Sequence, residues 1–249
     1  MPSISDIADQ PRPFFKTLVL GDAGAGKSVF AASFPKPMFV FDLDKGISIY
    51  VDEGGDIDFE QFEMSGAGWI ALEAFKGQFI STHQKALHYK TVIIDSTTTM
   101  MDMAMERAIQ MSPKLINGCP IWNVHFSIQK NLMQNVLRPI IDLDANIVII
   151  GHLIGDKDET TGQKFITPLL PGNLSERLPT SFGEVLYAQT RTDKTGTSQF
   201  VLLTANKGYF KARSRLSGKA RRLPEYVPNN YKAIMEILET KNGSCILQS

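Results

Sequence analysis

The sequence predicts an α/β fold with a mainly parallel central sheet flanked by helices. Short, continuous apolar runs rich in Val, Ile, Leu and Phe recur along the chain, as expected of strands buried on both faces of a sheet. Each run is followed at once by Gly, Asp or His. Stretches of helical periodicity separate the runs, which is the βαβ alternation of a doubly wound domain.

Taken in order, Thr17–Leu20 ends at Gly21, Met38–Phe41 at Asp42, Val92–Ile94 at Asp95, and Ile147–Ile150 at Gly151 and His152. Glu184–Thr190 and Gln199–Thr204 are predicted as further strands, paired as a hairpin around Asp193–Gly196. Helices are expected over Lys27–Phe34 (stopped by Pro35), Trp69–Leu87, Thr98–Met111, Asn123–Leu143 and Asn230–Thr240. In the last of these, Asn230 is the N-cap and Ile234, Ile237 and Leu238 fall at helical spacing. Long loops are expected over Ser112–Asn123 and Leu153–Leu174, and loops of that length in such a fold are often functional. The organisation reads as an N-terminal tail over residues 1–14, a core over 15–222, and a C-terminal helix and tail over 223–249.

Bulk properties narrow the function. Hydrophobic residues make up 43% and charged residues 21% of the 249, so a core large enough to fold without disulfides or metals is available. The formal net charge of zero gives no global field to attract nucleic acid, so any such partner needs a local patch. Cys119 and Cys245, and His83, His88, His125 and His152, lack metal-ligand spacing. No apolar stretch has the length of a membrane span or a signal core, so a cytoplasmic protein without a membrane partner is expected.

Gly21-Asp22-Ala23-Gly24-Ala25-Gly26-Lys27-Ser28 fits GxxxxGK[ST] at every fixed position, after an apolar strand and before a helix. The spacing follows from the chemistry of phosphate binding. The glycines let the backbone wrap tightly with its N–H groups inward, and the start of the helix adds its positive end. The loop, with Val29 after it, is expected to hold ATP. Lys27 would reach the β- and γ-phosphates, and the Ser28 hydroxyl would ligate Mg²⁺.

A metal at Ser28 calls for a carboxylate at a strand end, and Asp95 stands there, closing Val92–Ile94. Ser96 and Thr97 either assist it or cap the next helix. Hydrolysis needs a group that orients water. Asp42 and Asp44 share one face if the second strand continues that far, and Glu184 is a third candidate. His152, directly after a strand, either contacts the γ-phosphate or is structural.

From Lys207 to Arg222 there are seven basic residues and no acidic one: Lys207, Lys211, Arg213, Arg215, Lys219, Arg221 and Arg222. Tyr209 and Phe210 lie among them. Such a stretch suits single-stranded nucleic acid, through phosphate contacts and base stacking. It also suits an arginine finger reaching a neighbouring subunit, or a solvated surface loop.

In this order the motifs Gly21–Ser28, Phe41-Asp42-Leu43-Asp44, Ile94-Asp95-Ser96 and Ile149-Ile150-Gly151-His152 resemble the RecA-like P-loop ATPase core. Pro168–Gly172, Phe182-Gly183-Glu184-Val185 and Lys211-Ala212-Arg213 narrow the resemblance to phage nucleotide-binding, or Sak-type single-strand annealing, proteins. It covers roughly residues 15 to 222. The resemblance implies that Asp44 activates water where RecA proteins have Glu, and that His152 senses the γ-phosphate. It makes Lys211 and Arg213 trans-acting fingers, and the loops Ser112–Asn123 and Leu153–Pro168 DNA-binding loops. Self-association into a ring or filament, single-stranded DNA, a single-strand-binding protein and a phage-infected bacterial cytoplasm follow as expected partners and setting. The short tail Met1–Phe15 does not match the RecA polymerisation segment.

The expected function is thus ATP-dependent, single-stranded DNA binding that promotes annealing or recombination, with Lys27, Asp44, Asp95, His152, Lys211 and Arg213 as the catalytic set. The alternatives are an ATP-gated regulatory or loading factor acting on a protein partner, and a small-molecule kinase.

Overall fold

The computed structural model describes residues 14–52, 54–83, 88–157, 162, 164–192, 196–217 and 223–240. The apolar runs become strands β1 (Lys16–Leu20), β2 (Met38–Asp42), β4 (Thr91–Asp95) and β5 (Asn146–Gly151). They are buried nearly throughout, as their lack of polar alternation requires. The sheet order is β11-β9-β8-β1-β5-β4-β2-β3, where β3 is Ile57–Gln61, β8 is Glu184–Thr192, β9 is Ser198–Leu203 and β11 is Tyr226–Pro228. From β8 to β3 every pairing is parallel, while β9 and β11 add antiparallel strands at the other edge. A short β10 (Arg213–Ser214) pairs with the first residues of β8.

Alternate residues of each strand point to opposite faces and build two cores. On one face Leu18, Leu20, Phe41, Ile94 and Ile149 pack with Trp69, Met103 and Met133. These come from α3 (Gly66–His83), α4 (Thr97–Met111) and α5 (Ser127–Ile141). On the other face Val19, Val40, Ile93 and Val148 pack with Phe30 of α1 (Lys27–Ala32), Tyr50 of α2 (Ser48–Asp52) and Ile234 of α7 (Tyr231–Glu239). At the start of α7, Asn230 Oδ1 accepts the Ala233 amide at 3.2 Å, the N-cap expected there.

Several elements depart from the expectations. The predicted helix from Asn123 begins as a π-helical turn, Trp122–Phe126, before α5. The long loop expected after His152 is instead a β-hairpin, β6 (Leu153–Lys157) with β7 (Lys164–Pro168), followed by a one-turn α6 (Leu174–Arg177). The boundary drawn at 222 falls between strands of one sheet, since β11 pairs with β9. Beyond it, Asn229 Nδ2 donates to the Gly26 carbonyl at 2.8 Å, and the Tyr231 amide donates to Ser33 Oγ at 2.8 Å. These C-terminal residues brace both ends of α1. The strands β8 and β9 pair antiparallel as expected; the tip at 193–195, like Lys219, Arg221, Arg222 and Cys245, lies outside the described residues.

Register brings the expected polar residues to one edge of the sheet. Leu20 is level with Gly151, and Asp42 with Asp95. Residues 21–28, 42–47, 95–99 and 151–152 therefore emerge side by side at the carboxyl ends of the strands, where open α/β sheets bind ligands.

Candidate functional site

The loop after β1 has no room for side chains at two of its glycines. A methyl on Gly21 would lie 2.7 Å from the Ala188 carbonyl oxygen, and Gly26 turns into α1 with φ of 83°. Lys27 is folded back over this loop, its Nζ donating to the carbonyls of Gly21 (2.9 Å) and Asp22 (2.8 Å). Burial holds the Lys27 ammonium below its usual pKa, opposed by Asp95, Asp22 and Asp44 nearby. A cavity of about 360 Å³ lies against residues 22–25, with Leu153, Ala188 and Phe210 in its wall.

Asp95, only 4% exposed, is where the elements converge. Its Oδ2 accepts the Ser28 hydroxyl at 2.8 Å and the Tyr50 hydroxyl at 2.9 Å. Its backbone carbonyl accepts the amides of Leu43 (2.7 Å) and Asp44 (3.1 Å), binding the end of β2 to the end of β4. Burial pushes the carboxyl up to about 6, with the two hydroxyls opposing and Asp44 and Asp42 adding to the rise. Ser28 and Asp95 thus present a hydroxyl and a carboxylate at one point. That oxygen set fits a hard divalent cation such as Mg²⁺, which Ser28 and Asp95 would hold. Among the described residues no group of three or more His, Cys, Asp or Glu forms an all-protein metal cage.

The two aspartates after β2 do not share a face. The strand ends at Asp42, and the chain turns there, so alternation stops. Asp42, fully buried, accepts the amides of Gly46 (2.8 Å) and Ile47 (3.2 Å) and Gln61 Nε2 (2.7 Å). It shapes the turn and offers no free oxygen to water. Asp44 is exposed beside Asp95, accepting the hydroxyls of Ser96 (3.1 Å) and Thr99. Glu184 is ruled out by register: it pairs with Thr17 at the start of β1, the opposite end of the sheet from the phosphate loop. There it is buried, which raises its pKa.

Thr97 donates to the Ile150 carbonyl at 3.2 Å, and the His152 amide donates to Thr98 Oγ1 at 3.4 Å, so the ends of β4 and β5 are joined. Burial and the Lys27 charge hold His152 below its ordinary pKa, which keeps its ring neutral at neutral pH. The His152 carbonyl accepts the Leu169 amide at 3.0 Å, closing the base of the hairpin β6–β7.

Among the described residues of the basic segment, Lys207 and Arg213 are engaged within their own chain. Lys207 pairs with Glu225 and lies 4.9 Å from the Tyr226 ring. Phe210 packs edge-on against Tyr187, with ring centroids 5.2 Å apart. Arg213 Nη2 donates to the carbonyls of Pro179 and Phe182, each at 2.8 Å, beside the start of β8. Arg213 therefore stands away from the phosphate loop of its own chain. Lys211, exposed, follows Phe210. Tyr50, Thr98 and Thr99 are site residues that the sequence reading missed; no local pattern distinguishes them from core and helix residues.

A family model described as an AAA domain matches residues 14–216. No curated protein matches the chain. The matched span runs from the start of β1 through the phosphate loop, Asp95 and His152 to the segment after β10. By that match the chain belongs to the AAA domain family of P-loop ATPases.

Proposed function

We propose that the protein binds ATP with Mg²⁺ at Gly21–Val29, hydrolyses it, and uses the cycle to control binding of single-stranded DNA in annealing or recombination for a phage. The observation that carries the ATP reading is the Ser28–Asp95 contact beneath a glycine loop whose lysine is bonded to two replaceable loop carbonyls. In this reading Lys27 leaves Gly21 and Asp22 for the β- and γ-phosphates. Ser28 and Asp95 would hold Mg²⁺, which would supply positive charge to the phosphate oxygens. Asp44, exposed next to Asp95, orients the attacking water. A neutral His152 can donate one ring N–H to a γ-phosphate oxygen while its backbone stays tied to the hairpin.

Two features support the DNA reading. The first is a surface loop of unusual build between α4 and α5, where Ile116 and Cys119 bridge across a turn. His125 pins this loop, its Nδ1 accepting the Ile121 amide at 2.6 Å and its Nε2 lying 2.6 Å from the Ser112 carbonyl. On it Trp122 is 65% exposed and Ile116 56%, an apolar and aromatic surface suited to stacking bases. The second is that the hairpin after His152 is bonded to the basic segment, the Ile166 amide donating to the Tyr209 carbonyl at 3.0 Å. A displacement at His152 has a direct mechanical route to Tyr209–Lys211. Arg213 would have to release Pro179 and Phe182 to act as a finger in a neighbouring subunit.

The specific rival is an ATP-gated factor acting on a protein, favoured by the zero net charge and by the internal engagement of Lys207 and Arg213. One experiment separates them: ATP hydrolysis by wild type and Lys27→Ala, with and without single-stranded DNA, at low and physiological salt. DNA-stimulated turnover that is lost in Lys27→Ala and weakened by salt supports the DNA reading. Turnover indifferent to DNA leaves the ATPase and removes the recombination role.

A further inference from the structure

Tyr50 is fully buried, yet its hydroxyl carries a hydrogen bond that a phenylalanine could not make. It is the one buried residue of α2, whose neighbours Ile49 and Val51 are both exposed, Val51 at 70%. A short helix that buries a single side chain has little else to hold it in place. What holds it here is Asp42, through the amides of Gly46 and Ile47, and the Tyr50 amide donating to the Ile47 carbonyl at 2.9 Å. A chain of contacts therefore runs from Asp42 through the turn at 46–47 to Tyr50, and from Tyr50 to Asp95.

The end of that chain is specific. Tyr50 and Ser28 both donate to Oδ2 of Asp95, at 2.9 and 2.8 Å, from opposite elements, α2 and α1. Two donors on one oxygen fix the plane of a carboxylate whose own side chain has free rotation about its last bond. They also leave Oδ1 as the oxygen available to a cation or to water bound on it. Hydrogen bonds to a charged acceptor are the stronger kind, so the constraint is substantial.

We propose that Tyr50 is a positioning residue for the metal side of the nucleotide site, holding the Asp95 carboxylate so that a divalent cation meets an aligned ligand. The proposal rests on the ATP-and-Mg²⁺ reading above. It assigns Asp42, the residue removed from the catalytic candidates, a role at the far end of the same chain of contacts.

The test is Tyr50→Phe, which keeps the buried ring and removes only the hydroxyl. Binding of a fluorescent ATP analogue is measured in EDTA and across a Mg²⁺ titration, and Mn²⁺ binding in the presence of the nucleotide is followed by electron paramagnetic resonance. The expected result is unchanged affinity in EDTA, with about tenfold more Mg²⁺ or Mn²⁺ needed for half-saturation, the scale of a lost hydrogen bond to a charged group. A general structural role would instead weaken nucleotide binding equally with and without metal. That outcome, or metal titrations that superimpose on wild type, overturns the proposal. Failure of the underlying reading looks different: wild type itself would bind no nucleotide, or would bind it as well after Lys27→Ala.

Discussion

The carboxyl ends of β1, β4 and β5 and the segment from Lys207 to Ser217 are both rich in charged or polar groups, but they use them differently. At the strand ends, Lys27, Ser28, Asp95 and Asp44 are bonded to one another, to hydroxyls and to loop carbonyls. In the proposed ATP-binding role these partners would be exchanged for phosphate oxygens, a cation and water. In the basic segment, Lys207 is joined to Glu225, and Arg213 to the carbonyls that end the turn before β8. Those partners belong to the fold. A cluster of charges becomes a ligand site when its contacts are replaceable, and composition alone does not reveal which kind of contact a charge will make.

The largest expected effect tests the replaceable end. Lys27→Ala removes the only cation buried in the phosphate loop, and ATP turnover should fall by about a thousandfold, as when a fixed charge-stabilising donor is lost. The folded state should persist, because among the described residues Lys27 donates to two loop carbonyls and to no side chain. Turnover retained in Lys27→Ala would break the comparison at its stronger side.

Within the site, Asp42 and Asp44 repeat the contrast two residues apart. Asp42→Ala empties a buried carboxylate position, takes the acceptor from three part-buried donors, and should lower stability by about 2 kcal/mol in denaturant unfolding. Asp44→Ala should change stability by about 0.5 kcal/mol or less while cutting turnover about a hundredfold. If the two variants behave alike in both assays, the assignment of one to the fold and the other to water fails.

Asp95 adds a pH signature. Its carboxyl is held at about 6, against 3.8 ordinarily, chiefly by burial. The folded chain therefore holds this proton more tightly than the unfolded one does. The resulting stability is fully present below 3.8 and is lost as pH rises through about 6. Asp95→Asn never ionises and can still accept the Ser28 and Tyr50 hydroxyls. In metal-free buffer near neutral pH it should be more stable than wild type by about 3 kcal/mol, and the difference should vanish in acid. Thermal melts of both proteins across pH check this, and a gap that widens in acid would contradict it.

How far the sequence alone reaches follows the same physics. The buried strands of the parallel sheet were legible, because a strand covered on both faces must be apolar throughout. The phosphate loop was legible because its glycines are demanded by close backbone approach, as at Gly21 against Ala188. By contrast β3, with Asp58 and Glu60 in an exposed edge strand, carries no apolar run to find. The hairpin β6–β7 was read as a loop because its pairing is set by partners across the turn rather than by local composition. Asp42 stands beside Asp44 as a candidate in the sequence because alternation would put both on one face if the strand ran on to Asp44, and it stops at Asp42. Tyr50 gave no signal at all: its function lies in a contact 45 residues away in sequence.

The smallest effect bears on the basic segment, where the resemblance and the fold make opposite demands on one side chain. Arg213→Ala removes two hydrogen bonds to the Pro179 and Phe182 carbonyls, both near the surface, and should cost about 1 kcal/mol of stability. If these bonds are its whole role, turnover and single-stranded DNA affinity stay at wild-type values, and Arg213→Lys, which cannot span both carbonyls with one planar group, restores only part of the stability. If Arg213 instead reaches a neighbouring subunit, turnover falls and mixing the variant with Lys27→Ala recovers activity at shared interfaces. Complementation needs a residue that serves another chain's site, so its presence or absence decides between a finger and a strut where stability measurements alone would not.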